Sequence, residues 1–357
     1  MDLTNRKLNF AMDRFSGIYL WVGFIVVFGI WSPHIFLTMS TVHLLASTQA
    51  VAGIIGIAVL IPMVSGQFDL SVGANANLTG LVAVVLQARH GWSLAETLVF
   101  CLAIGLFVGL VNGVIVVRFK VNSFIATLGM GSILSAFSVI VTNGEDPPIV
   151  NSTAWTNMTQ YSVFGFSVII YIMLVFALVA WWVLQHTPAG RRMQATGGNP
   201  EAARLSGIRV NRISWASLTA SGGIAGAGGI LYTSLTGPSL TFGSTLLLPA
   251  FAAVFLGSTQ LLPGRFNVWG MLLAIFVLAT GVEGLQLVSG VQWISEMFNG
   301  VALIIAVAMA ASRTGRTPHR PRRAKPAPEG SERPSETQAT GSSSAQPQLT
   351  GSTASGS

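Results

Sequence analysis

The stretch LAETLVFCLAIGLFVGLVNGVIVVRFK, residues 94–120, holds a single carboxylate among its first 24 residues and closes on Arg118 and Lys120. A helix needs about 20 mostly apolar residues to cross the hydrocarbon core of a bilayer, so this stretch is long enough to span one. The sequence therefore predicts an all-α, polytopic membrane protein with about ten transmembrane helices. The nine other apolar segments of this kind lie near residues 17–37, 44–64, 72–88, 124–142, 163–185, 213–235, 243–261, 266–288 and 293–312.

The composition supports a membrane protein. Hydrophobic residues make up 51% of the 357 residues, charged residues make up 9%, and the mean hydropathy is +0.65, which excludes an ordinary soluble domain. If the chain starts in the cytoplasm and crosses ten times, every Lys and Arg except Arg89 falls on the cytoplasmic side, as the positive-inside rule requires. The sequence thus predicts two cytoplasmic termini. The membrane topology accounts for the basic sequence pI of about 10.3, and the chain has no motif of the kind that binds a nucleic-acid groove. We therefore expect no nucleic-acid partner.

No pattern in the chain is typical of an enzyme or a metal site. Cys101 is the only cysteine, and the five histidines lack the spacing of metal ligands. The three lysines, Lys7, Lys120 and Lys325, complete no phosphate-binding G-x-x-x-x-G-K-[ST] motif. We therefore expect no catalytic residue, metal or cofactor on this chain, and an ATP-driven process would require a separate ATPase subunit.

Three regions follow from the segment pattern. Residues 1–16 form a cytoplasmic N-terminus, and residues 17–312 form the membrane domain, which includes a polar cytoplasmic loop at residues 186–212. Residues 313–357 are rich in Pro, Ser, Gly and Thr and cannot bury a core, so they predict a disordered cytoplasmic tail.

The membrane domain contains a candidate internal repeat. GQFDLSVG at residues 66–73 is weakly similar to GPSLTFG at residues 237–243. Gly113 lies 40 residues after the end of the first stretch, and Gly284 lies 41 residues after the end of the second. The offset spans five predicted crossings, so the two copies would face opposite ways, as inverted repeats do in many transporters. Chance similarity among Gly-rich apolar segments is the alternative, and the matched spacing favours the repeat.

Polar side chains within and beside the predicted helices are candidates for a solute passage. A charged residue costs about 2.5–3.5 kcal/mol at the centre of a membrane helix, so Asp69 is a candidate for a functional role, although Asp69 and Ser71 would equally cap the helix that follows. Uncharged hydrogen-bonding groups suit a neutral polyhydroxylated solute, while hydrogen bonds between helices are the alternative for each of them. The candidate solute-pathway residues are Asp69, Ser71, Asn75, Asn77, Asn112, Phe124 and Thr127.

A polar island, GRRMQATGGNPEAARLSGIRV at residues 190–210, interrupts the apolar chain. Asn199 is suited to cap a helix, Pro200 to occupy its first position, Glu201 to face the positive end of the helix dipole, and Gly207 to end the helix in a left-handed turn. That helix has about two turns, and helices shorter than about 12 residues rarely hold alone in water, so it needs a surface to dock on.

The side chains of the island indicate what it would dock on. Ala202 and Ala203 offer a low face that can enter a groove, while Arg191, Arg192 and Arg204 can pair with acidic groups or anionic lipid. A linker helix that lies on the bilayer surface is the alternative. The candidate docking residues are Gly190, Arg191, Gly198, Asn199, Glu201, Ala202, Ala203, Arg204 and Gly207.

Three motifs together resemble those of permease subunits from bacterial ABC importers of the ribose, xylose and galactose class. Residues 190–213 resemble the cytoplasmic coupling loop, SGQFDLSVG at residues 65–73 resembles the Asp-Leu-Ser signature, and NGVIVVRFKVNSFIATLGM at residues 112–130 resembles a third family motif. The motifs occur in the family's order and spacing, and the similarity covers nearly all of residues 15–312. The chain departs from the family at Ser65, where glycine is common, and at LLPGRF, residues 261–266, which replaces a Gly-rich turn.

This resemblance implies a function. The loop at residues 186–212 would dock on an ABC ATPase subunit that holds ATP and Mg²⁺, using Glu201, Ala202, Ala203 and Gly207. A solute-binding protein outside and a second permease subunit, either a copy or a paralogue, would complete an importer of a monosaccharide or similar polyhydroxylated solute in the bacterial inner membrane. The chain itself would perform no chemistry. An ion-coupled secondary transporter and a non-transporting membrane scaffold are the alternatives.

Overall fold

The computed structural model describes residues 3–291 and 293–314 and is almost entirely helical. The helices are α1 (Leu3–Trp31), α2 (Pro33–Phe36), α3 (Met39–Val64), α4 (Val72–His90), α5 (Leu94–Arg118), α6 (Ser123–Thr142), α7 (Thr153–Gln160), α8 (Val168–His186), α9 (Pro188–Gly198), α10 (Pro200–Leu205), α11 (Val210–Thr236), α12 (Phe242–Gly257), α13 (Val268–Ser289) and α14 (Trp293–Thr314). An antiparallel hairpin of β1 (Ser162–Val163) and β2 (Phe166–Ser167), with two residues in each strand, precedes α8 in this otherwise helical fold.

Ten long helices lie where the sequence predicts crossings, namely α1, α3, α4, α5, α6, α8, α11, α12, α13 and α14. Several predicted bounds are wrong, including the starts of the first two segments, which lie at Leu3 and Met39 instead of near residues 17 and 44. The first segment ends at Trp31 because Pro33 starts a separate short helix, the sixth begins only at Val168 because the hairpin occupies residues 162–167, and the eighth ends at Gly257 because a turn follows.

Six of the described helices are long and apolar enough to cross a membrane: α3, α5, α6, α8, α13 and α14. Phe15–Trp31 and Phe242–Gly257 are shorter apolar helical stretches. A helical fold with several membrane spans is thus confirmed, while the count of ten crossings stays a prediction. The predicted N-terminal segment 1–16 overlaps α1, and the predicted tail 313–357 lies outside the described residues apart from positions 313 and 314, which end α14.

Helix α3 forms the centre of the core. Every residue from Ala50 to Leu60 is buried, so this part of the helix is covered on all sides by protein. Helices α8, α11, α12 and α13 pack around it. The part of α3 from Ala50 to Leu60 is therefore an interior segment.

Helix α11 approaches α4 and α5 so closely that only glycine fits at the contacts. A Cβ atom on Gly229 would overlap the carbonyl oxygen of Ala76 in α4, and a Cβ atom on Gly222 would overlap the carbonyl oxygen of Gly105 in α5. Small residues allow helix backbones to approach in this way inside membranes. The Gly-rich composition of α11 is therefore a packing requirement.

The helix contacts form two similar sets. Helix α4 packs on α5 and α6, as α12 packs on α13 and α14, and α11 packs on α4 and α5, as α3 packs on α12 and α13. Between the sets, α3 contacts α11 and α4 contacts α12. Gly73 and Gly243, which end the two echoing stretches, meet at the α4–α12 contact, where a Cβ atom on either would overlap the other's carbonyl oxygen.

The glycine contact gives a matched pair of variants. Gly229→Ala forces the α4 and α11 backbones apart, so we expect it to lower the free energy of unfolding by about 1–3 kcal/mol, as overpacked cores do. Gly129→Ala, on α6, places its methyl group where no atom lies within 4 Å, so helix propensity makes it neutral or stabilising by up to about 1 kcal/mol. Thermal unfolding of the purified proteins in detergent measures both, and equal midpoints would contradict the close contact.

Candidate functional site

The polar island folds as two short helices, α9 and α10, between α8 and α11. The Thr187 side chain caps α9 by accepting from the Gly190 backbone N–H at 3.4 Å. A Cβ atom on Gly190 would overlap the carbonyl oxygens of Val183 and Leu184, and Gln194 Nε2 donates to the Leu184 carbonyl at 3.0 Å. Helix α9 is therefore folded tightly back on the end of α8.

Helix α10 has the caps that the sequence predicts. Asn199 Oδ1 accepts from the Ala202 backbone N–H at 3.0 Å, and Pro200 occupies the first turn. At the other end Gly207 has φ +80°, and the Ile208 and Gly207 backbone N–H groups donate to the Ala203 and Arg204 carbonyls. These two bonds form a Schellman motif, which fixes the end of a helix that is too short to hold by itself.

The exposed side of α10 differs from the predicted one. Glu201, Ala202 and Arg204 are exposed, but Ala203 is buried, so the proposed Ala202–Ala203 face is wrong: adjacent helical residues do not face the same way. Leu205, which the sequence analysis missed, is 90% exposed and lies three positions after Ala202. The i, i+3 pair Ala202 and Leu205 is the apolar part of the outer face.

Charged side chains border this apolar face. Glu201 and Arg204 form an ion pair at 3.2 Å with both side chains largely in solvent, so the pair adds little to stability. Both groups are therefore available to a partner. The island contains a small apolar spot with a charged rim, which is the usual anatomy of a protein–protein contact.

The inner side of the island contacts the segment that carries Asp69. Gly197 of α9 lies so close to the link between α3 and α4 that a Cβ atom on it would overlap the Val64 carbonyl oxygen. Gly66, with φ +79°, faces Gly197 from the other side of this contact. The island and the Asp-Leu-Ser signature are thus neighbours, which their separation in the sequence does not reveal.

Asp69 is fully buried and joins three parts of the fold. Its Oδ1 accepts from the Ser71 backbone N–H at 3.1 Å and from Ser71 Oγ at 2.6 Å, and its Oδ2 accepts from Ser221 Oγ of α11 at 2.8 Å. Asn112 of α5 donates to Ser71 Oγ at 2.8 Å. In this link, outside both flanking helices, burial raises the pKa of Asp69, and the hydrogen bonds from Ser71 and Ser221 oppose that rise.

The prediction that Asp69 and Ser71 cap α4 is wrong, because Ser71, at the N-cap position, makes no side-chain capping bond and Asp69 accepts from Ser71 itself. The second oxygen of Asp69 is bonded to a different helix, and a functional role for Asp69 stays a prediction. The sequence analysis missed Ser221. Its signal was the spacing of Ser214, Ser217 and Ser221, which places three hydroxyls on one face of α11.

The other two hydroxyls on that face also contact the α3–α4 link. Ser217 Oγ lies 2.8 Å from Ser65 Oγ, and Ser214 Oγ accepts from Gln67 Nε2 at 3.3 Å. Ser65, where the chain departs from the family pattern, is thus bonded to α11. Three hydroxyls of one helix bind three residues of one link.

The remaining predicted pathway residues are placed as follows. Asn75 Nδ2 donates to the Gly222 carbonyl at 3.0 Å, Asn77 Nδ2 donates to the Leu240 carbonyl at 2.9 Å, and Thr127 Oγ1 accepts from the Leu70 backbone N–H at 3.0 Å. All three are buried, whereas Phe124 is 48% exposed on α6. Six of the seven therefore bind protein groups in the interior, and a role in the solute pathway stays a prediction.

Comparisons with known proteins agree that this chain is similar to permease components of transport systems. Residues 41–307 match the family model described as "Branched-chain amino acid transport system / permease component". The chain is 31% identical to the fructose import permease protein of Rhizobium meliloti, over 80% of this chain and 81% of the relative, and 32% identical to the ribose import permease protein of Escherichia coli K12, over 83% and 92%. It is 28% identical to the autoinducer 2 import system permease protein of Photorhabdus laumondii, over 79% and 85%. The resemblance predicted from the three motifs is confirmed.

The Asp69–Ser221 bond can be tested by removing its donor. Ser221→Ala leaves Asp69 Oδ2 buried without a partner, so we expect the free energy of unfolding to fall by about 1–3 kcal/mol. Ser135→Ala is the matched control because Ser135 is exposed on α6 and bonds only within its own helix. Thermal unfolding in detergent compares the two, and similar midpoints would show that the bond does not hold the link to α11.

Proposed function

This chain belongs to the family of branched-chain amino acid transport system permease components, and we propose that it carries a monosaccharide or similar polyhydroxylated solute into the cytoplasm, driven by a separate ABC ATPase subunit. The observation that carries this proposal is α10, a two-turn helix capped at both ends that presents Ala202 and Leu205 to solvent. When a partner covers a small apolar patch of this kind, the patch becomes buried and can supply most of the binding energy of the contact.

The contacts behind α10 provide a route for the movement of the coupling segment, which we define as α9 and α10. Gly197 touches the α3–α4 link directly, and α10 leads through one turn into α11, which carries Ser214, Ser217 and Ser221 to the same link. A partner that displaces the coupling segment would therefore push on the link from two directions. The buried polar groups transmit this force by holding the link to α11.

The solute class is inferred from two facts. The relatives named for ribose, fructose and autoinducer 2 import are similar to this chain over most of their length. An α-amino acid would bring an ammonium and a carboxylate group that need charged partners in a low-dielectric passage, whereas the polar groups inside the described helices are mainly amides and hydroxyls. An uncharged polyhydroxylated solute fits this set better than the amino acid in the family description does.

The charge pattern and the paired helix contacts support the proposed topology. Ten crossings with both termini in the cytoplasm place the coupling segment inside, together with every basic residue except Arg89. The two sets of helix contacts, and the meeting of Gly73 with Gly243, support an inverted repeat.

The remaining parts of the importer would be separate proteins. An ABC ATPase subunit would bind ATP and Mg²⁺ and dock on the coupling segment, and a solute-binding protein would deliver solute from outside. A second membrane subunit, a copy or a paralogue, would complete the passage, because the predicted pathway residues of one chain are closed in its interior except for Phe124. This chain would hold no cofactor and perform no chemistry.

The docking face can be disrupted without touching the membrane helices. Glu201→Lys with Ala202→Trp reverses a charge and fills the apolar face with a ring, so we expect normal amounts in the membrane, at least a tenfold loss of co-purified ATPase subunit, and no solute uptake. Affinity purification of the complex and uptake of labelled ribose and fructose measure these effects.

A matched control makes the same changes on another exposed short helix. Thr153→Lys with Ala154→Trp alters α7 and should leave the bound ATPase unchanged. Retention of the ATPase by the coupling-segment variant would contradict the docking role. Uptake that survives ATP depletion in the unmodified protein would indicate an ion-coupled carrier, and uptake of leucine alone would contradict the sugar assignment.

The topology is tested by cysteine labelling. In a Cys101→Ala background, an impermeant thiol reagent should label Thr153→Cys in intact cells and should label Gly198→Cys only after permeabilisation, because the two positions lie on opposite sides in the ten-crossing topology. Both positions are exposed, and a side chain at Gly198 meets no atom within 4 Å. Labelling of both in intact cells would disprove this topology.

A further inference from the structure

Two adjoining cavities lie beside the coupling segment. The larger, of about 890 Å³, opens between α9, the end of α3, the α12–α13 turn and the last turns of α14. The smaller, of about 340 Å³, lies between α8, α9 and the same turn. Both are lined by Arg191, Gln194, Arg265 and Phe266, so the two arginines belong to the wall that the cavities share.

The two arginines are uncompensated. Neither guanidinium forms an ion pair or hydrogen bond with any residue that the structure describes, where Arg204–Glu201 is the one salt bridge. Among the residues that the structure describes, no acidic side chain lines either cavity. Two guanidinium groups in the lining of the same cavities, with no described carboxylate beside them, are suited to bind an anion, and phosphate accepts paired hydrogen bonds from arginine.

The position of Arg265 is fixed by the α12–α13 turn. Leu261 has φ +56° and Gly264 has φ +83°, so two left-handed residues shape this turn, and leucine rarely adopts such a conformation. Asn267 Nδ2 lies within hydrogen-bond distance of the Gly257, Gln260 and Arg265 carbonyls, at 3.1, 3.3 and 3.2 Å. A turn held in this way fixes the backbone position from which the exposed Arg265 side chain extends.

The rest of the lining mixes apolar residues with the polar side chains of Gln185, Gln194, Ser258, Thr259 and Asn267. Phe255 and Val307 line the larger cavity, while Trp181 and Leu184 line the smaller one. The rings of Trp181 and Trp269 lie 6.3 Å apart, and tryptophan collects where membrane helices meet the lipid headgroups. The cavities thus combine a cationic wall with apolar walls at the end of the membrane helices.

We propose that the joined cavities bind an anionic phospholipid of the adjacent leaflet, with its phosphate between Arg191 and Arg265 and the start of its acyl chains along Phe255 and Val307. The larger volume lies in the range of ordinary ligand sites, and basic pockets between membrane helices on the cytoplasmic side are suited to anionic headgroups. Because Arg191 is on α9 and Arg265 is on the α12–α13 turn, a bound lipid joins the coupling segment to the second half of the helix bundle.

The test compares two double variants of the full-length protein that remove equal charge. Arg191→Gln with Arg265→Gln removes the cavity arginines, and Arg192→Gln with Arg212→Gln removes two exposed arginines of the same region that line neither cavity. Each protein is purified, delipidated in detergent, and titrated with phosphatidylglycerol or phosphatidylcholine while bound lipid and thermal midpoint are measured. A ligand that binds only the folded state raises the midpoint as its concentration rises.

We expect the cavity variant to bind phosphatidylglycerol at least tenfold more weakly than the unmodified protein. The control should bind it within about twofold of the unmodified protein, because substitutions at exposed positions usually have small effects. All three should respond alike to phosphatidylcholine and share one midpoint without lipid, which shows that the variants are folded. An equal loss of phosphatidylglycerol binding in both variants would show that the effect comes from general surface charge. Displacement of the lipid by millimolar inorganic phosphate would assign the site to a free anion, and either result would overturn the proposal.

Discussion

The backbone contact of α11 with α4 and α5 is the constraint on which the rest of the structure depends. Gly222 and Gly229 stand where any side chain would meet a carbonyl oxygen of the facing helix. At that distance the helices gain dispersion contacts that bulky residues would prevent, and in lipid such packing replaces the hydrophobic drive of soluble folding. The approach also brings side chains of α4 within hydrogen-bond reach of the α11 carbonyls, as the Asn75 bond to Gly222 illustrates.

This geometry explains why the polar residues of the signature motif are buried. A polar group removed from water costs free energy unless a partner satisfies it, and Asp69, Ser71 and Asn112 bind one another or α11. The Asp-Leu-Ser motif and the serine face of α11 are two halves of one contact. A motif that looks like a solute-binding signature in the sequence is, in this conformation of the chain, a joint between helices.

The sequence predicts most of the helices because each depends on a local run of apolar residues or a local cap. Asn199, Pro200 and Gly207 specify α10 through bonds within a few positions, so that helix was predictable. Leu205 was not, since its exposure depends on how α10 is seated on α9. The bond between Ser221 and Asp69 joins residues 152 positions apart, and one sequence carries no sign of such a pairing beyond the spacing of hydroxyls along α11.

The shortness of the coupling segment is consistent with a role in transmitting force. A long independent helix could tilt or unwind without moving its neighbours, whereas α10 is held by an N-cap and a Schellman motif and is joined by single turns to α9 and α11. Its displacement must therefore move α11. Because α11 contacts α4 and α5 backbone to backbone at Gly229 and Gly222, the movement reaches the centre of the bundle. The same glycines that allow the close approach thus make the fold stiff between the coupling segment and the core.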